Sequence, residues 1–245
     1  MRLVVWRLTQ TLAWRRRRLL AFNLLIPGLL LVPVVTSGAA PVHQAVVVAV
    51  FVTFFGAYGS CIPLIRDGMS GWAEKVWLTG YGGRRWLVER TLAATAIDWA
   101  QLLPTNALLV WIVAGFTAEA GVLLFAIVIA TGLALLFANL LGALVASLVR
   151  ALGEAALGCA VVSLFALHAS GVFRAPAPGS WWEAVEAGSP LRPLHEAWVA
   201  VLSESAPGPW TSAGLPTLVL AGILLLVVLA GNLLARRIAA TEPVA

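Results

Sequence analysis

The sequence predicts an all-α integral membrane protein of six transmembrane helices with both ends on the cytoplasmic side. Three observations carry that expectation: six apolar stretches of spanning length, basic residues gathered on alternate connections, and a composition unlike that of water-soluble domains. The 245 residues are 61% hydrophobic and 11% charged, with a mean hydropathy of +0.94. Soluble domains carry about 25% charged and about 45–50% apolar residues, so lipid is the solvent these side chains match. A pI of about 10.2 would by itself suggest a nucleic-acid partner, but the placement of the charges points to a membrane surface and away from nucleic acid.

Crossing about 30 Å of hydrocarbon at 1.5 Å per residue takes about 20 apolar residues. Six stretches qualify, at 19–37, 44–65, 92–116, 120–147, 153–173 and 214–235. Arg2, Arg7 and Arg15 to Arg18 precede the first; Arg66, Lys75, Arg84, Arg85 and Arg90 lie between the second and third. Arg150 follows the fourth, and Arg236 and Arg237 follow the sixth, while only Arg174 and Arg192 fall on the other side. Fourteen of the sixteen basic residues thus share one side, which the positive-inside rule makes cytoplasmic. Nine of the eleven tryptophans, all but Trp99 and Trp111, flank the spans, where amphipathic rings sit best.

Residues 1–18 are expected to form a helix in the cytoplasmic interface. Val4, Val5, Leu8 and Leu12 would share one face, with Trp6 and Trp14 near the headgroups. A secretory signal competes, given small residues from Ser37 to Ala40, but the basic region is long and the apolar stretch after it is long enough to span. Cys61 and Cys159 fall within spans without CxxC spacing and read as two core thiols.

Between the second and third spans, Trp72, Val76 and Trp77 recur at helical spacing beside Glu74 and Lys75. A short amphipathic helix is expected from Ser70 to Thr79, with Gly80, Gly82 and Gly83 supplying positive φ for a sharp turn. Amphipathicity leaves two roles open, resting on headgroups or docking into a soluble partner. Inside the third span Asp98, Gln101, Thr105 and Asn106 form a polar strip interrupted by Pro104. A carboxyl in hydrocarbon costs about 2.5–3.5 kcal/mol and usually faces protein or water. The strip therefore lines a pathway or subunit interface, or makes interhelical hydrogen bonds with a snorkelling partner near the cytoplasmic edge; Arg90 stands about 12 Å of helix rise away. Small residues such as Gly142 and Ala146 suit close helix packing.

Chemistry-bearing sets are incomplete. Lys75 is the only lysine and sits in no Gly-x-x-x-x-Gly-Lys-Ser/Thr run, so the chain has no P-loop with which to hold ATP. Tyr58-Gly59-Ser60-Cys61 lacks the glycines of a Gly-x-Ser-Gly nucleophile motif, although Ser60 and His168 both lie at or near membrane depth. Asp98 is the only aspartate inside a span, too few carboxylates for a metal-dependent alcohol transferase. His168 reads as an interior or interfacial histidine, and His43 and His195 as outer-surface residues.

Asp67, Gly71, Glu74 and Thr79 are spaced as in the connection between spans two and three of the type-two ABC exporter permeases, which carries an acidic residue, Gly-Thr-Leu-Glu and a Leu-Leu-x-Thr-Pro-like ending. The chain differs at Trp72, Ala73, Val76, Trp77 and Gly80. The fifth span closes Ser170-Gly171-Val172-Phe173, similar to that family's Ser-Gly-x-Phe turn. A break at Pro176 and Pro178 follows, with Ser180 and Glu183 as a capping box for a helix through Trp181, Trp182 and Val185. Ser189-Pro190 and then Leu191 to Val201 with Glu196 resemble the family's Asn-Pro step and Pro-Leu-x-x-x-x-Glu-Ala run.

The resemblance covers most of the chain from Arg2 to the sixth span. It implies half a translocator in the cell membrane, paired with a second copy or a similar chain. A separate P-loop ATPase would hold ATP and Mg, with no cofactor in this chain. Ser70, Gly71, Glu74, Lys75, Leu78 and Thr79 would then form the coupling helix on the ATPase, and Asp98, Gln101, Asn106 and His168 would be candidates for the pathway or subunit interface. An intramembrane enzyme and a non-transporting membrane scaffold are the readings from other classes.

Overall fold

The computed structural model describes residues 4–174, 178–203 and 214–240, all helix and connection with no strand among them. In chain order the helices are α1 (Val4–Arg15), α2 (Arg17–Val35), α3 (Pro41–Met69), α4 (Trp72–Leu78) and α5 (Gly83–Ala114). They continue as α6 (Ala118–Leu148), α7 (Leu152–Ala169), α8 (Trp181–Ala187), α9 (Arg192–Leu202) and α10 (Gly214–Ala239). Five of these, α3, α5, α6, α7 and α10, are long and apolar enough to cross a membrane, and α1 with α2, bent by 74° at their junction, makes a sixth when taken as one span. Each of the six expected stretches falls on one of these long helices. Arg2 and Pro176 lie outside the described residues.

Exposed yet apolar side chains such as Leu29, Leu157, Phe165, Leu218 and Leu226 cover the outside, as expected where lipid replaces water. The centre is held by close approach of α3 and α6. A Cβ added at Gly142 would overlap the Ala57 carbonyl oxygen, and one at Gly56 would lie 2.8 Å from the Ala138 methyl, so small residues set this spacing. Around it are two apolar clusters. One joins Val48 and Val52 of α3, Ile127 and Ala134 of α6, and Leu194, Trp198 and Val201 of α9. The other joins Val5 of α1, Leu64 and Ile65 of α3, Ala73 of α4, Trp86 of α5 and Ile238 of α10. Cys61 and Cys159 are buried free thiols in this second cluster.

The connections depart from expectation in three places. Of the three glycines after α4, only Gly80 takes positive φ, at +81°. Gly82 is extended at φ −63° and Gly83 begins α5, so a single left-handed residue makes the turn. Helix α8 forms, but Ser180 makes no side-chain cap; the Glu183 carboxylate instead accepts from the Gly179 N–H at 2.7 Å. His195 is partly buried rather than on the surface, because α9 turns its apolar face into the bundle.

Burial lowers the affinity of the His195 imidazole for a proton below its ordinary value near 6.5, with the Val42 backbone and the Glu196 charge opposing. The unfolded chain therefore binds more protons below that value. Stability is complete above about pH 6.5 and falls as the pH drops through the window beneath it. Thermal unfolding followed between about pH 5 and pH 8 is expected to show this slope, and His195→Gln is expected to flatten it.

Candidate functional site

Helix α4 is a short platform fixed by tryptophan. The fully buried Trp86 of α5 meets Trp72 at 6.5 Å and Trp77 at 6.3 Å between ring centroids, and Ala73 is buried beneath them. The start of α5 is tied down as well: the Arg84 N–H donates to Asn232 Oδ1 of α10 at 2.9 Å. With its apolar side held, α4 turns Glu74, Lys75, Leu78 and Thr79 outward, and Leu78 is 88% exposed. The helix is shorter than the expected Ser70 to Thr79. Gly71 adopts φ +65°, which breaks the helical run, and Ser70 ends α3 with its hydroxyl donating to the Asp67 carbonyl at 3.2 Å. Ser70 and Gly71 are thus the hinge before the platform and not its first turn.

Beside the platform, α1 docks on α5. The Trp6 N–H donates to Glu89 Oε2 at 3.3 Å, and Arg85 Nε donates to Glu89 Oε1 at 2.9 Å. The Arg85 guanidinium also lies 4.5 Å above the Tyr81 ring centre. Arg90 Nε pairs with Asp67 Oδ2 at 2.9 Å and its terminal nitrogen reaches Thr9 at 3.4 Å. The expected common apolar face of α1 divides: Val5 is buried in the bundle, whereas Val4, Leu8 and Leu12 form an exposed stripe.

Deeper in the bundle, Asp98, Asn139 and Ser60 join α5, α6 and α3. Asn139 Nδ2 donates to Asp98 Oδ2 at 3.1 Å and to the Leu135 carbonyl at 2.9 Å. The Ser60 hydroxyl donates to Asn139 Oδ1. Gly59 makes room for the carboxylate, since a Cβ there would crowd Asp98 Oδ2. A cavity of about 340 Å³ is lined by Asp98 and Gln101 and by Asp67, Arg16, Arg66 and Arg90, between the α1–α2 bend and the facing sides of α3 and α5.

Of the four expected pathway residues, the structure brings Asp98 and Gln101 together. Asn106 turns to α6, donating to Thr131 Oγ1 at 3.1 Å. His168 is exposed at the end of α7, edge-on to Trp182 at 6.4 Å. Arg90 is not the snorkelling partner of Asp98; it pairs with Asp67, one helix away. Ser60, weighed as a nucleophile with His168, spends its hydroxyl on Asn139. Asn139 itself was missed by sequence reasoning, although an amide alone in the middle of so apolar a span was a usable signal. No group of three or more His, Cys, Asp or Glu able to hold a metal ion occurs among the described residues. Comparison with family models, curated proteins and solved structures gives no match.

Proposed function

We propose that this chain is the membrane-spanning permease subunit of an ATP-driven exporter of the type-two ABC kind, set in the cell membrane with both termini cytoplasmic. In this reading a separate P-loop ATPase holds ATP and Mg, and a second copy or a similar permease chain completes the translocation path. The observation that carries the reading is the α4 platform: seven residues whose inner side is locked by Trp72, Trp77 and Trp86 and whose outer side presents Glu74, Lys75 and Leu78, with Thr79 exposed just after them.

An exposed leucine beside a charged pair suits a protein partner, because a buried apolar anchor with flanking polar contacts is the usual energetic centre of an interface. The tryptophan cluster gives such a contact mechanical meaning. A push on α4 reaches α5 through Trp86 and α3 through the Ser70–Gly71 hinge, and these two helices carry Asp98 and Ser60. Arg84 and Arg85 follow α4 directly and fourteen of the sixteen basic residues share its side by alternation of the spans, which supports a cytoplasmic location.

Gentle purification of the tagged chain, with mass spectrometry of what remains bound, is expected to recover a near-stoichiometric P-loop ATPase. Leu78→Asp and Glu74→Arg are each expected to weaken that association by about tenfold or more while the chain still accumulates in the membrane. Wild-type association in both variants would falsify the role of α4. Absence of any ATPase, after crosslinking as well, would move the reading to an intramembrane enzyme or a scaffold.

A further inference from the structure

The cavity beside Asp98 is chemically two-ended. At its mouth stand Arg16, Arg66 and Arg90; Asp67 pairs directly with Arg90 at 2.9 Å and also feels the Arg16 charge from farther off, which leaves three cations around one carboxylate. Arg16 and Arg66 make no ion pair among the described residues. At its inner end are the Asp98 carboxyl, 7% exposed, and Gln101, 5% exposed with its Oε1 buried and without a hydrogen-bond partner. A buried polar atom left unmatched is costly, and it marks a place where a donor belongs. Gly59 touches Asp98 and Arg66 follows it seven residues later on α3, which separates inner end from mouth by about 10 Å of helix rise, less the reach of the arginine.

We propose that this cavity binds a phosphoester whose far end carries hydroxyl or amine donors, with the phosphate between Arg16 and Arg66 and the donors on Asp98 and Gln101. Two guanidinium groups match the several oxygens of a phosphate, each able to give paired N–H bonds. The volume of about 340 Å³ lies at the small end of ligand pockets, which run from roughly 300 to 1,000 Å³, and suits a headgroup-sized molecule. Leu20 and Ile97 also line the cavity and offer apolar contact to a ligand's carbon atoms. The same chemistry is offered by a phospholipid headgroup and by a free phosphoester. Such a site needs neither α4 nor an ATPase and would exist whether or not the chain is an exporter subunit.

The test is native mass spectrometry of the full chain released from mixed micelles. Phosphatidylglycerol has the phosphate and hydroxyl donors, phosphatidylcholine has the phosphate without donors, and glycerol 3-phosphate serves as a soluble competitor. Phosphatidylglycerol is expected to be retained over phosphatidylcholine, and Arg66→Gln and Gln101→Leu are each expected to weaken that retention about tenfold. Arg237→Gln, at an exposed arginine outside the cavity, is expected to leave it unchanged. Displacement by glycerol 3-phosphate identifies a site for free phosphoesters, and retention despite it identifies a lipid headgroup site. Equal retention of both lipids, or wild-type retention in Arg66→Gln, overturns the proposal, as does equal loss in Arg237→Gln. Arg66 is exposed, so that variant decides the matter even where Gln101→Leu fails to fold.

Discussion

Gly142→Ala is expected to lower the midpoint of thermal unfolding by roughly 6–12 °C, the shift that corresponds to about 3 kcal/mol in a chain of this size. Adding one methyl in a helix normally stabilises it by about 1 kcal/mol relative to glycine, so the sign here comes from packing alone. The new Cβ would overlap the Ala57 carbonyl oxygen, a backbone atom that cannot rotate away, and α6 would have to move off α3 along their whole contact. Gly222→Ala is the control, because a Cβ at Gly222 of α10 meets nothing within 4 Å. The buried thiols of Cys61 and Cys159 lie in the cluster beside this contact, so their reaction with a fluorescent maleimide reports its opening. Equal midpoints for the two alanine variants would show that α3 and α6 do not pack as described.

The long helices were legible because apolar runs and basic flanks are properties of the chain itself, whatever it packs against. Their ends were less so. Apolarity marks where hydrocarbon begins, whereas backbone hydrogen bonds mark where a helix begins, and the two differ at α5. That helix starts at Gly83, well before the apolar stretch at 92, because Arg84, Arg85 and Arg90 are helical yet keep their charges at the membrane edge. At the other extreme α7 stops at Ala169 and not at 173, since Gly171 turns to φ +70°. Helix α4 was anticipated from its tryptophans and cut short by Gly71 for the same reason.

The candidate site divides in the same way. That Asp98 would face protein followed from the cost of a carboxyl in lipid, but its partner did not follow, because partners are chosen by tertiary packing. Helical rise alone made Arg90 available to Asp98. In the fold, Asp67 pairs with Arg90, and Asn139 reaches Asp98 across the α5–α6 contact, with Gly59 leaving room for the carboxyl against α3 and Gly56 leaving room for the amide. A polar strip drawn on one helix also treats Gln101 and Asn106 alike, and only the neighbouring helices separate them: Gln101 borders the cavity and Asn106 bonds Thr131.

Asn139→Ala is expected to cost on the order of 3 kcal/mol, because it removes the hydrogen bonds of two other buried polar groups at once, the Asp98 carboxyl and the Ser60 hydroxyl. Asp98 would keep its place at 7% exposure with no partner other than cavity water, and the Ser60 hydroxyl would lose its acceptor on α6. The cost should therefore depend on Asp98 being present. In a double-mutant cycle, Asp98→Ala with Asn139→Ala is expected to be less destabilising than the sum of the singles by about 1–3 kcal/mol, since Asp98→Ala removes the buried carboxyl that Asn139→Ala strands. Asp98→Asn, which keeps the shape and an acceptor oxygen for the Asn139 amide, is expected to be tolerated better than Asp98→Ala. Strict additivity of the two alanine changes would mean that Asn139 stabilises the bundle by filling space, and that the hydrogen bond to Asp98 at 3.1 Å contributes nothing of its own.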